Sequence, residues 1–181
     1  MDNMGIRGDI WRWIKNWLRN RKQGVVIEGI SSDWKKVTSG VPQGSILGPV
    51  LFTIFINDID DDVESAVLKF AYDTKLIGKV KTLEDRNIIK RDLIKLHQWS
   101  KDWQMPFHID KCKILHFGRN NERAKFELGG KELKEEEEEK DLGVIISEKG
   151  SVEVQCCNEG SNANQMLGMI KRAITCRKKT S

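Results

Sequence analysis

The sequence has few of the residues that hold soft metals or cross-link secreted chains. Its 181 residues include four cysteines and three histidines, and no two cysteines have the C-x-x-C spacing of a zinc site. Cys156 and Cys157 are adjacent and therefore poorly placed to pair with each other, and His97, His108 and His116 lack a metal-ligand spacing. A reduced, intracellular protein is the simplest interpretation.

Long hydrophobic runs are also absent. The most apolar stretch, residues 50–56, is far too short to span a bilayer. Residues 11–18 near the N-terminus are interrupted by Arg12, Lys15 and Asn16, unlike the h-region of a signal peptide. The sequence therefore predicts no membrane contact, and we expect the protein in the nucleus or the cytoplasm.

Charge of either sign is plentiful, with a small basic excess. The net charge is +4, which permits contact with nucleic acid but does not require it. The basic tail, which includes Lys178 and Lys179, either contacts phosphates or only keeps the end soluble. The acidic run 135–139 is interpreted as a solvated edge or turn, and the carboxylates among residues 58–62 as a solvated loop, because charge clusters are usually solvated.

Apolar spacing and turn residues predict short helices alternating with short strands. In the first half we expect a helix capped by Asp9, with an apolar face of Ile10, Trp11, Ile14, Trp17 and Leu18. A strand at 25–27, a turn at 31–33 and a strand at 34–37 follow it. After a loop at 39–45, Gly48-Pro49 opens a second helix that buries Val50, Leu51, Ile54 and Phe55.

The second half is predicted in the same way. After the capping box at 82–85 we expect a long helix that ends at Pro106 and buries Ile88, Ile89, Leu93, Leu96, Trp99 and Trp103. Strands are expected at 113–117 and 142–146, and a hairpin is expected to turn at Gly129-Gly130. The last helix should have an apolar stripe of Ala163, Met166, Leu167, Ile170 and Ile174.

The most informative segment is residues 67–77. Two apolar arms flank the dipeptide Tyr72-Asp73, and a two-residue connection of this kind predicts a β-hairpin. Tyr72 is unusual at such a turn, where Asn, Asp or Gly is expected.

These segments together resemble the reverse transcriptases of non-LTR retrotransposons, most of all the jockey-like clade. The first block that carries the resemblance is SGVPQGSILGPVLF at 39–52 with INDI at 56–59, and the second is FAYDTKL at 70–76, where the family's catalytic hairpin normally has FADDTKL. The third block is Trp99-Ser100 with Trp103 and DKCK at 110–113. The fourth, EKDLGV at 139–144, is similar to the family's strand that grips the primer, and the fifth is ANQMLG at 163–168. They stand in the family's order over nearly the whole chain.

The resemblance implies an α+β fold, with part of a right-hand polymerase palm at 1–150 and a thumb-like helix with a basic tail at 151–181. In the palm, the catalytic β-hairpin packs on helices. The implied reaction is RNA-templated DNA synthesis on a DNA primer, a phosphoryl transfer assisted by two Mg²⁺ ions about 4 Å apart. The family supplies one Asp from an earlier strand and two from the hairpin tip.

Site residues follow from the same resemblance. Asp73 matches a catalytic metal ligand, and Lys111 matches a lysine able to protonate the leaving pyrophosphate, although an ordinary surface lysine is the alternative. The loop Pro42-Gln43-Gly44 would approach the templating base pair, although a plain helix-entry loop is the alternative for Gln43 and Gly44. Leu142-Gly143 would contact nucleic acid.

Two departures from the family pattern both affect the metals. Tyr72 occupies the place of the leading hairpin Asp, and a phenol with a reference pKa of about 10 is neutral at pH 7. The block with the earlier Asp, like the fingers, is expected upstream of the first residue. Only Asp73 then remains of three carboxylates, and losing such anions costs several kcal/mol of transition-state stabilisation. We expect no stable Mg²⁺ binding and no activity of the chain by itself, with Asp73 serving as a turn residue.

Three hypotheses remain open from the sequence. The first is a decayed polymerase fragment with weak or no nucleic-acid binding, and the second is a non-catalytic remnant that binds nucleic acid or another protein. The third is a fragment completed by another chain, against which Tyr72 argues. Trp11, Trp13 and Trp17 suggest base stacking, but their spacing favours core positions for Trp11 and Trp17 and exposure for Trp13. An unpaired hairpin edge predicts marginal stability.

Overall fold

The computed structural model describes residues 5–118 and 120–177. Its α-helices are α1 (Gly8–Leu18), α2 (Leu47–Phe55), α3 (Leu83–Asp102) and α4 (Glu153–Arg177). Its strands are β1 (Lys22–Gln23), β2 (Val26–Ile27), β3 (Ile30–Ser31), β4 (Lys35–Lys36), β5 (Ala66–Phe70), β6 (Asp73–Ile77), β7 (Lys113–Leu115), β8 (Glu127–Leu128), β9 (Lys131–Glu132), β10 (Lys134–Glu136), β11 (Glu138–Asp141) and β12 (Val144–Ser147). The predicted basic tail at Lys178 and Lys179 lies outside the described residues.

The strands pair two by two, and the chain divides into two compact units. The described pairs are β1 with β4, β2 with β3, β5 with β6, β8 with β9, β11 with β12, and β7 with β10, of which the last is parallel. Unit 1 holds residues up to 61 together with 67–75, and unit 2 holds 62–66 and residues from 76 onward. The mixture of helices and strands agrees with the predicted α+β class.

In unit 1 the first helix has the predicted apolar face but not the predicted cap. Ile14 is buried, whereas Ile10 is 66% exposed. The cap position belongs to Arg7, which makes no side-chain cap bond. Asp9 is the second residue of the helix, two positions after the cap. It pairs with Arg12 at 2.7 Å, and its carboxylate lies near the positive end of the helix dipole.

The strands and the helix that follow also depart in detail. The first turn falls at residues 28–29 rather than 31–33. Helix α2 begins at Leu47, so Pro49 stands in its first turn, where it costs no helical hydrogen bond. Leu51 is buried as predicted, but Val50 is 54% exposed; the buried residues beyond the helix are Ile56 and Ile59.

Unit 2 is organised by the long helix α3, which begins as predicted. The side chain of Thr82 accepts from the backbone of Asp85, and the side chain of Asp85 accepts from the backbone of Thr82. The helix ends at Asp102, before Pro106, and Trp103 lies beyond it, 47% exposed. A core of Ile89, Phe126, Leu128 and Leu133 joins this helix to the β8–β9 hairpin, which turns at Gly129-Gly130 as predicted.

The acidic run, predicted to be a solvated edge or turn, forms parts of two strands, each of which lies at the edge of a two-stranded sheet. Its ends belong to β10 and β11. Lys113 pairs with Glu139 at 2.7 Å and with Glu136 at 3.7 Å, and Arg123 lies 3.6 Å from Glu135. These cations offset the repulsion that would otherwise oppose extended strands made of glutamates.

Helix α4 has the predicted stripe, but the stripe faces solvent. Met166, Leu167, Ile170 and Ile174 are each about half exposed. The apolar spacing therefore predicted the helix, but the side chains of the stripe are not buried. Within the described part of the chain, every helix is too short or too polar to cross a bilayer.

Candidate functional site

The tip of the β5–β6 hairpin differs by one residue from the prediction. The turn consists of Ala71 and Tyr72, and Asp73 is the first residue of β6. Ala71 has a φ of 50°, a left-handed conformation that is uncommon for any residue with a Cβ. The prediction that Asp73 serves as a turn residue is therefore wrong, because the strand already begins there.

Tyr72 is held by an aromatic contact with α2. Its ring centroid lies 4.3 Å from that of Phe52 with the planes at 44°, a tilted pair of the kind that stabilises by about 1 kcal/mol. The side chain is nevertheless 74% exposed. The position that carries a carboxylate in the family's hairpin is thus occupied by a neutral ring with an apolar anchor.

The described carboxylates of unit 1 do not form a metal-binding set. Asp60 accepts a hydrogen bond from Lys69 Nζ at 2.5 Å, and the same ammonium donates to the carbonyl of Asn57 at 3.0 Å. Among the described residues no group of three or more His, Cys, Asp or Glu side chains is arranged to hold a metal ion. Because Mg²⁺ requires several hard oxygen ligands in octahedral geometry, these residues do not fit the two ions that the family resemblance implies.

The loop before α2 is a tight polar turn. Ser45 Oγ donates to the carbonyl of Pro42 at 2.7 Å and accepts from the backbone N–H of Gly48 at 3.0 Å. A Cβ on Gly48 would come within 2.9 Å of Ser45 Oγ and 3.2 Å of the Pro42 carbonyl oxygen, so a larger residue there would force the turn to shift. Gln43 and Gly44 form the exposed crest, and Gly44 has a φ of 81° with open space around it. The loop therefore presents backbone to solvent.

In unit 2, Lys111 closes a short 3₁₀ turn at Ile109–Lys111. Its backbone N–H donates to the carbonyl of His108 at 2.8 Å, and its side chain is exposed. The neighbouring Asp110 is bound by Lys131, whose hydrogen bond and charge lower the pKa of that carboxyl. Lys111 thus stands next to an anion whose charge is already balanced by another lysine.

Leu142 and Gly143 form the two-residue tip of the β11–β12 hairpin, not part of a strand as predicted. Their φ angles are 48° and 90°, and positive φ at both positions is the pattern of the type I′ turn. Leu142 is 59% exposed. A large apolar side chain is therefore presented to solvent in a conformation that L residues disfavour.

A buried carboxylate on α3 was missed by sequence reasoning. Asp92 is fully buried and accepts from the backbone N–H groups of Glu64 at 3.1 Å and Ser65 at 2.9 Å. Its partners stand 27 and 28 residues earlier, so the only sequence signal is an acidic residue on the apolar side of an amphipathic helix. Asp92 fixes the segment that leads into β5 and has a structural role.

The predicted site residues are divided between the two units. Unit 1 holds Pro42, Gln43, Gly44, Tyr72 and Asp73; unit 2 holds Lys111, Leu142 and Gly143. Within unit 1, α2 contributes Phe52, whose ring contacts Tyr72. The helix begins shortly after the loop that contains Pro42.

Comparisons with known proteins agree with the motifs. Residues 1–162 match the sequence profile of the family described as reverse transcriptase (RNA-dependent DNA polymerase). The RNA-directed DNA polymerase from mobile element jockey of Drosophila melanogaster is 27% identical over 146 residues, 75% of this chain and 16% of that protein. Its counterpart from Drosophila funebris is 27% identical over 147 residues, 76% of this chain and 16% of the relative.

A further relative is the probable RNA-directed DNA polymerase from transposon X-element of Drosophila melanogaster, 26% identical over 110 residues, 58% of this chain and 12% of that protein. This chain therefore spans about a sixth of the length of the jockey polymerases. No solved structure matches it significantly. The resemblance to the reverse transcriptases of jockey-like elements is confirmed.

Proposed function

Because this chain belongs to the reverse transcriptase (RNA-dependent DNA polymerase) family, we propose that it is a part of a jockey-like polymerase that does not synthesise DNA as it stands. The parent reaction would be RNA-templated extension of a DNA primer. The observation that carries the proposal is Tyr72 at the hairpin tip, packed on Phe52.

The chemistry of the β5–β6 hairpin tip explains why the chain would not synthesise DNA. A phenol is neutral at pH 7 and is a weak ligand for Mg²⁺, which prefers charged oxygen donors. Removing one preorganised charge-stabilising group from an active site, such as an oxyanion-hole donor, costs about 3–4 kcal/mol, or a factor of about 10²–10³ in rate. Asp73 alone cannot replace a pair of carboxylates, and Asp60 is already engaged with Lys69.

The other site residues receive roles in the same proposal. Pro42, Gln43 and Gly44 would contact the templating base pair through the exposed backbone of their turn. Leu142-Gly143 would contact the primer strand with the hairpin tip, and Lys111 would donate a proton to the leaving pyrophosphate. We propose that residues 1–150 belong to the palm part of the polymerase sequence and residues 151–181 to the thumb-like part, and we do not expect stable Mg²⁺ binding by this chain.

Primer extension tests the proposal. The chain and its Tyr72→Asp variant are assayed on a poly-A template with Mg²⁺ or Mn²⁺, each alone and fused behind a jockey segment that supplies the earlier catalytic block. We expect DNA synthesis only by the fused Tyr72→Asp protein, because only that protein has all three carboxylates.

Tyr72→Asn is the matched control, because it removes the ring from Phe52 as Tyr72→Asp does but adds no charge. The fused Tyr72→Asn protein should be inactive. Extension by the chain as it stands, or equal extension by the Asn and Asp variants, would show that the metal ligands are other residues.

A further inference from the structure

Helix α4 is held against the rest of unit 2 at its first turn. Val154 and Gln155 are half-buried there, and Gln155 Oε1 accepts a hydrogen bond from the backbone N–H of Ile145 in β12 at 2.8 Å. From Cys156 to residue 174, every residue except Gly168 is exposed. Most of the helix is therefore available to a partner.

One side of this exposed length is apolar in a regular pattern. Its positions alternate by four and three residues, the spacing that keeps side chains along one seam when two helices pair. The last three of these side chains are 52%, 49% and 58% exposed, and a second helix would remove them from water. We call the following residues the α4 seam: Cys156, Gly160, Ala163, Leu167, Ile170 and Ile174.

The size of the side chains changes along the α4 seam. Its first three residues are small and its last three are large. A second copy of the helix that runs antiparallel, centred on Gln165, would place a small residue opposite a large one in every layer, which fills space evenly. A parallel copy would put large opposite large at one end and leave a gap at the other. The antiparallel layers are Cys156 with Ile174, Gly160 with Ile170, and Ala163 with Leu167.

The charges of α4 favour the same direction. Within residues 153–174 the acidic side chains, Glu153 and Glu159, lie in the first half, and the basic ones, Lys171 and Arg172, lie in the second half. All four are exposed. An antiparallel copy brings the acidic half of each helix alongside the basic half of the other and also opposes the two helix dipoles. A parallel copy would place like charges together at both ends.

We propose that α4 is the interface of a homodimer in which the α4 seams of two copies pack antiparallel. The seam is complementary to itself in both size and charge, because its small, acidic half and its large, basic half lie on one helix. Such self-complementarity is what an interface with two-fold symmetry requires. The proposal depends on α4 alone and goes beyond the proposed function.

Sedimentation equilibrium of the full chain in a reducing buffer tests the association across a concentration series. We expect the mass to rise from that of one 20.8 kDa chain toward twice that value. Ile170→Glu should weaken the dimer at least about tenfold, because each copy would bury an unpaired carboxylate. Met169→Glu is the matched control, since Met169 is the neighbouring residue, is 56% exposed and lies outside the seam, so its variant should associate normally.

Disulfide trapping tests the direction of the two helices. Replacing Cys112, Cys157 and Cys176 by serine leaves Cys156 as the single thiol. A disulfide needs Cα atoms about 4.4–6.8 Å apart, and in the antiparallel dimer Cys156 faces Ile174 of the other copy. Mild oxidation should therefore cross-link the chains only after Ile174→Cys is added.

Several outcomes would overturn the proposal. A mass of one chain at all concentrations, or equal weakening by Ile170→Glu and Met169→Glu, would show that the α4 seam is not the interface. Cross-linking through Cys156 alone, or no cross-linking after Ile174→Cys, would exclude the antiparallel arrangement. Circular dichroism of each variant verifies that the helix is kept.

Discussion

Replacing the buried carboxylate of Asp92 tests how unit 2 holds the segment before β5 against α3. One carboxylate oxygen accepts from Glu64 N at 3.1 Å and the other from Ser65 N at 2.9 Å. Lys95 Nζ lies 3.6 Å away. Asp92→Asn keeps the shape but retains one acceptor oxygen, and its amide would turn an N–H donor toward a backbone donor.

The size of the effect follows from these bonds. A hydrogen bond to a charged group contributes about 1.5–3 kcal/mol, and a buried donor left without an acceptor costs a further amount of similar size. We expect Asp92→Asn to lower the free energy of unfolding by about 2–4 kcal/mol, a large part of the stability of a domain of this size.

The same contacts predict the pH dependence. Burial alone would raise the pKa of Asp92, but the hydrogen bonds from Ser65 and Glu64 and the charge of Lys95 together bring it below the ordinary value of 3.8. Because the pKa of the folded state is the lower one, the stabilisation is complete above the unfolded value and is lost as the pH falls through the folded value. The difference between wild type and Asp92→Asn should therefore be constant near neutrality and shrink below about pH 4.

Urea denaturation followed by circular dichroism measures both effects. Asp61→Asn is the control, since Asp61 is exposed and should change the free energy of unfolding by less than about 0.5 kcal/mol. If Asp92→Asn is no more destabilising than the control, or if the difference grows as the pH falls, the carboxylate does not hold this segment.

Two other predictions concern hairpin tips. Gly129→Ala should lower the free energy of unfolding by about 1–3 kcal/mol more than Gly130→Ala, as measured by thermal denaturation. Both glycines have positive φ, but a Cβ on Gly129 would lie 2.6 Å from His97 whereas Gly130 has open space around it. Equal losses in the two variants would contradict the contact with His97. Leu142→Asn should raise the free energy of unfolding by about 0.5–1 kcal/mol, since Asn tolerates the φ of 48° better than Leu. Val144→Asn, inside β12, should lower it, and destabilisation by both variants would refute the turn geometry.

Features decided by neighbours in sequence were predictable. The capping box at Thr82 and Asp85 and the turn at Gly129-Gly130 form as expected, because their hydrogen bonds and φ angles are satisfied within a few residues. The long helix and the loop around Gly44 follow from the same local rules.

Features decided by distant partners were not predictable. The turn falls on Ala71 and Tyr72, although Asp73 has the higher turn preference, and the Tyr72 ring packs on Phe52, 20 positions earlier. The glutamates extend into strands where Lys113 pairs with them. Burial of Asp92 depends on Glu64 and Ser65 in the same way.

Both hairpin tips that match family motifs carry backbone strain. Ala71 and Leu142 have φ angles of 50° and 48° while exposed to solvent, so no burial of the strained residue offsets the cost of about 1–2 kcal/mol each. At the first tip Tyr72 stands where the family pattern has a carboxylate, whereas at the second tip Leu142-Gly143 matches the family pattern. Under the proposed function, catalysis and strand binding depend on different hairpin tips, so we propose that the loss of catalysis does not by itself imply the loss of strand binding.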